Sequence, residues 1–77
     1  MSSLGYRSCA LVVSLDDEEA ARLVLERYET VTDVERHGDR LVWRLDRSLI
    51  PSGELLTAEQ QIIDALTKAI SLHRTGP

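Results

Sequence analysis

The chain has one cysteine, two prolines, four glycines and no phenylalanine in 77 residues. A lone cysteine closes no internal disulfide and completes no zinc-ligand pair, which excludes a stapled secreted scaffold and a zinc module; Cys9 is expected as a small core residue. Aromatic residues make up only 4%, so the single tryptophan, Trp43, must be the largest side chain of any core. Long hydrophobic runs are missing too: none approaches the roughly 18 residues that cross a bilayer. The N-terminal stretch has no basic start followed by an apolar block, so neither anchor nor signal peptide is expected, and the expectation is a cytoplasmic protein without membrane contact. Positive charge is short as well, with nine basic against thirteen acidic residues and a net charge of −4. That balance gives no field to gather a phosphate backbone and argues against generic nucleic-acid binding.

What remains is ordinary globular composition, 43% hydrophobic and 29% charged. It fits one small domain over residues 1–77, with 1–5 and 74–77 expected as flexible ends. A domain of this size buries about 60% of its unfolded-chain surface, so nearly every apolar position has to contribute.

From Tyr6 to Leu15 the pattern alternates. Arg7, Cys9, Leu11, Val13 and Leu15 share one face of a strand, and Ser8, Ala10, Val12 and Ser14 the other. Asp16 followed by Glu19 has capping-box spacing, with Asp17 and Glu18 in the acidic first turn, and predicts a helix beginning there. On that helix Ala20, Ala21, Leu23, Val24, Leu25 and Tyr28 form an apolar arc, and Glu18, Arg22, Glu26 and Glu29 lie opposite. Val34 to His37 and Arg40 to Asp46, separated by Gly38-Asp39, read as a hairpin in which Leu41, Trp43 and Leu45 share a face. Pro51, Ser52 and Gly53 mark residues 47–56 as a connecting loop that carries four apolar residues, an unusual load for a linker. Thr57 with Gln60 repeats the capping pattern, and Ile62, Ile63, Ala65, Leu66, Ala69, Ile70 and Leu72 form the apolar arc of a last helix running to about His73. The order β-α-β-β-α implies an α+β fold, a three-stranded antiparallel sheet with both helices packed on one face.

Constellations that carry chemistry are missing from this pattern. The four glycines are scattered and form no phosphate-cradling loop, and no nucleophile elbow or serine triad ordering is present. His37 beside the hairpin turn and His73 near the C-terminus are not brought together by anything in the sequence, and no His/Cys/carboxylate spacing suits a metal. No catalytic, cofactor-binding or metal-ligating residue is therefore assigned, and a non-enzyme without cofactor is expected. Arg36, Arg40, Arg44 and Arg47 cluster on and after the hairpin and offer a nucleic-acid or phosphate-ligand reading, but Asp33, Glu35, Asp39 and Asp46 interleave with them. Arg7 and Arg27 lie at the margins of apolar faces, stems packed and heads in water. Apolar surplus is the remaining signal: Ala10, Val12 and Val42 point to the outer sheet face, and the loop leucines add more.

The hairpin run Val31 to Asp46, VTDVERHGDRLVWRLD, resembles the strand-turn-strand of the small coupling, or effector, proteins of soluble multicomponent diiron monooxygenases. Gly53 to Leu66, GELLTAEQQIIDAL, resembles the Gly-Glu-Leu-type segment and short helix that follow it there, and Cys9 to Tyr28 fits their first strand and helix. The chain departs from that pattern in ending on a longer helix and in lacking the Asn-Pro-Gly-like turn after the first helix. The resemblance implies a cofactor-free regulatory subunit that docks on the hydroxylase of such a complex, with Arg44, Leu49, Ile50, Leu55 and Leu56 as contacts. A rival resemblance is to the small dimerising subunit of the KEOPS tRNA-modification complex, which shares the β-α-β-β-α order but lacks the Pro51 to Leu56 insertion. It implies a homodimer paired through its strands, with Ile62, Leu66, Ile70 and His73 facing a catalytic partner. Both imply a larger protein partner for a small protein-binding subunit.

Overall fold

The computed structural model describes residues 5–75. Three strands, β1 (Tyr6–Val12), β2 (Val31–His37) and β3 (Arg40–Asp46), form an antiparallel sheet in the order β1-β3-β2. Two helices, α1 (Glu18–Leu25) and α2 (Leu55–Thr75), complete an α+β fold. β3 is the central strand, pairing along one edge with β1 and along the other with β2, and its Leu41, Trp43 and Leu45 are fully buried. β1 pairs with it from Tyr6↔Asp46 to Val12↔Arg40, which sets Cys9 beside Trp43. Val13, Ala21, Val24, Leu25, Ile62 and Leu66 close the core from the strand end and the two helices. Trp43 is the largest side chain of that core.

The hairpin forms as the sequence indicates. His37 pairs with Arg40, and Gly38 takes a positive φ of 66° in the two-residue connection, the conformation such turns require. β2 begins earlier than Val34, however. A bulge between Thr32 and Glu35, with Asp33 at φ 56°, inserts one residue. Val31 and Arg36, which strict alternation would place on opposite faces, therefore pair with Leu45 and Leu41, both core residues.

The first helix corrects the expectation in three ways. β1 stops at Val12, and residues Leu15–Asp17 form a 3-10 turn, so Leu15 is 74% exposed rather than on the strand's apolar face. The expected Asp16 cap is replaced by Asp17 at the N-cap position with no side-chain capping bond, its carboxylate being engaged elsewhere. Leu23, placed in the apolar arc, is 56% exposed, because the helix is only eight residues long and packs through Ala21, Val24 and Leu25 alone. It ends at Leu25, and turn bonds from Arg27 N to Val24 O and from Tyr28 N to Leu25 O bring the chain down to β2.

α2 starts at Leu55, two positions before the predicted Thr57 cap, since Glu54 N bonds Pro51 O and Ala58 N bonds Glu54 O and the turn feeds straight into the helix. Gln60 donates instead to Asp64, 2.9 Å away. At its other end the helix continues past His73 through Arg74 and Thr75. Of the segments expected to trail, residues 1–4 and 76–77 lie outside the described residues, while Gly5 O accepts a bond from Arg47 N. Ile62 and Leu66 are in the chain's own core, which corrects their assignment to an interface. No helix among the described residues is long and apolar enough to cross a membrane.

Candidate functional site

The residues singled out from sequence fall in two places. Arg44 stands on the outer sheet face, half exposed, with its guanidinium over the Tyr6 ring at 5.9 Å and 3.6 Å from Asp33. Leu49, Ile50, Leu55 and Leu56 belong to the segment between β3 and α2. There Asp46 caps a 3-10 turn, Arg47–Leu49, by accepting from Ser48 N at 3.0 Å and from Ser48 Oγ at 2.7 Å. Gly53, at φ 90°, turns the chain into α2. This local chemistry divides the four apolar residues: Ile50 and Leu55 pack against the core, while Leu49 and Leu56 are 56% and 69% exposed. Beside them Arg47, Ser48, Ile50, Pro51, Gly53 and Leu55 line a cleft of about 370 Å³. His73 is exposed on the last turns of α2 and joins neither group.

The hairpin arginines are mostly neutralised. Arg36, brought to the core face by the bulge, donates to Glu18, to Val13 O at 2.7 Å and to Gly38 O at 2.8 Å. Arg40 and Arg44 lie within 4 Å of Asp39 and Asp33. Only Arg47 of the four has no carboxylate within that distance among the described residues. His37 pairs with Glu35 on the outer face at 3.1 Å. Among the described residues no three His, Cys, Asp or Glu side chains are grouped to hold a metal.

Two polar clusters have no signature in the sequence. Asp17 is 2% exposed, and its Oδ2 accepts from Ser14 Oγ at 2.8 Å and from Arg74 Nε and Nη2 at 3.0 and 2.9 Å. The Ser14 hydroxyl and then the Arg74 guanidinium hold its carboxyl below the usual range. Arg36 and Arg22 do the same to Glu18. Cys9 Sγ donates to Glu59 Oε2 at 3.1 Å, and Arg7 Nε donates to the same oxygen at 3.1 Å. Burial, followed by that bond to a carboxylate, pushes the Cys9 thiol up to about 12, so it is a packed thiol and not a nucleophile. Glu59 is held low by the Cys9 bond and by Arg7. Partners 57 and 50 residues apart leave no trace in local spacing.

Comparison with protein-family models, curated proteins and solved structures returns no match for this chain.

Proposed function

We propose that this chain is a small non-catalytic subunit that acts by protein contact, docking a larger partner through residues 47–56. One observation carries the reading: Leu49 and Leu56 are exposed, and their chain neighbours Ile50 and Leu55 line a cleft and pack against the core. Exposed leucines on a supported, preorganised segment bury apolar area on binding without ordering a loop first. Arg47, with no carboxylate within 4 Å among the described residues, stands on the same cleft and supplies a polar contact for the rim.

The narrower form of the proposal is a coupling protein of a multicomponent diiron monooxygenase, with the hydroxylase as partner, resting on the resemblance of Val31–Asp46 and Gly53–Leu66. The tRNA-modification reading loses Ile62 and Leu66 as contacts, since the core takes them. The test is a tagged pull-down from native lysate washed at high salt, comparing wild type with Leu49→Asp/Leu56→Asp. A diiron hydroxylase recovered by wild type and lost by the variant is the expected result. Equal recovery by both proteins overturns the docking segment, and a different partner class overturns the narrower form.

A further inference from the structure

Of nine basic residues, Arg7, Arg22, Arg36, Arg40, Arg44 and Arg74 each lie within 4 Å of a carboxylate. Arg27, Arg47 and Lys68 have no such partner among the described residues, although acidic groups are in excess. Arg27 and Lys68, the only lysine, stand on one feature: a groove of about 220 Å³ between α2 and the end of α1 with the turn that follows it. Val24 and Tyr28 join Arg27 on one wall, and Ala65, Ala69 and Leu72 join Lys68 on the other. Leu72 is 65% exposed there. Ala65 and Ala69, one turn apart, put only methyl groups on the floor, so a third backbone can approach closely.

We propose that this groove is a docking site for an acidic amphipathic helix of a partner protein, a surface separate from residues 47–56. An apolar floor flanked by two uncompensated cations matches a helix with leucines at i, i+3 and i+7 and carboxylates beside them. A seam between two helices is the shape into which the ridges of a third helix fit. The other side of α1 provides an internal contrast. Leu15 and Leu23 are exposed there as well, but they share that surface with Glu18, Glu19 and Glu26 and with one cation, Arg22, which is paired with Glu18, and every lining residue comes from the single stretch Leu15–Glu26. That surface has no second wall and repels the same helix.

The experiment is a titration of the ¹⁵N-labelled full chain with a short peptide carrying Leu at i, i+3 and i+7 and Glu on its other faces, against the same peptide with Lys for Glu. Saturable shifts at residues 24–28 and 65–72, at least about tenfold weaker for the Lys peptide and weakened by salt, are expected. Arg27→Glu/Lys68→Glu should reverse the preference, and Leu72→Asp should weaken binding of the Glu peptide; each variant's spectrum away from the groove reports whether it is folded. The inference is overturned if the groove shows no saturable shifts, if the two peptides bind equally, or if shifts centre on Leu15 and Leu23. Shifts at the groove that depend on protein concentration without peptide identify a second copy as occupant and overturn it as well.

Discussion

The two ends of the sheet are finished in opposite ways. At the end where β1 stops, side chains from distant parts of the chain join local ones: Asp17 takes Arg74 besides Ser14, and Glu18 takes Arg36 besides Arg22. At the end where β3 stops, backbone bonds from Arg47 N to Gly5 O and from Asp46 N to Thr30 O join distant segments, and Arg7 reaches Glu59, but the segment leading into α2 is held by local bonds. Asp46 holds Ser48, Arg47 O accepts from Ile50 N, and Pro51 O accepts from Glu54 N. Long-range ion pairs tie elements together and use up their charges in doing so. Local bonds satisfy the backbone and leave Arg47, Leu49 and Leu56 free to face outward. The first end therefore commits its charged side chains to the fold, and the second leaves Arg47, Leu49 and Leu56 for the partner proposed above.

The largest effect comes from removing what the two ends share. Trp43→Ala should cost about 3–5 kcal/mol in urea unfolding, enough to unfold a domain of this size. Hydrogen exchange should then show protection lost at both ends at once; loss at one end only would mean the halves are not coupled through the core. Next is Asp17→Ala, which strands Arg74. It should lower Tm and open the last turn of α2 to exchange without weakening partner capture, since a buried carboxylate with three donors is replaced by nothing. An unchanged Tm would break the contrast drawn between the ends.

Acid should act on both ends, through Asp17 and Glu18 where β1 stops and through Glu59 beside Arg7 near the start of α2. Asp17, Glu18 and Glu59 have carboxyls held below their unfolded values. The stability they contribute is present above about pH 4, the unfolded carboxylate range, and is lost as pH falls through their lower folded values. Asp17→Asn should flatten the acid limb of a Tm-against-pH curve. Cys9 works in the other direction: its raised value makes its contribution complete below about pH 8.5 and lost as pH climbs toward about 12. Iodoacetamide at pH 8 should accordingly leave the native thiol unmodified and alkylate it in urea; rapid native labelling would show that Cys9 is not held as described.

The smallest stability effect belongs to the other end. Leu49→Asp and Leu56→Asp should each change stability by no more than about 0.5 kcal/mol while removing partner capture. Unfolding of either variant would show that these leucines belong to the core and would remove the distinction between the two ends.

The sequence placed the elements correctly in kind and order because its signals are local. Alternation around Trp43 marks a strand whichever partner it finds, Gly38-Asp39 marks a tight turn, and the apolar arc from Ile62 to Ile70 marks a helix. Boundaries slipped where a neighbour intervened. A helix whose first carboxylate is captured by Arg74 does not use it as a cap, and a strand with a bulge at Asp33 does not keep a strict alternation. The candidate segment 47–56 was legible from its apolar load, but the division of its leucines was not, because four similar side chains look alike until a core claims two of them.

The sequence by itself determined the α+β class, the lone buried thiol, the central place of Trp43 and the acidic balance, since each depends on composition or on spacings within a few residues. The tertiary structure alone decided the strand order β1-β3-β2, the pairs Asp17–Arg74 and Cys9–Glu59, and which cations were left without a partner. Those outcomes join residues some fifty positions apart. Contacts at that separation are set by how the layers pack, and no periodicity encodes them.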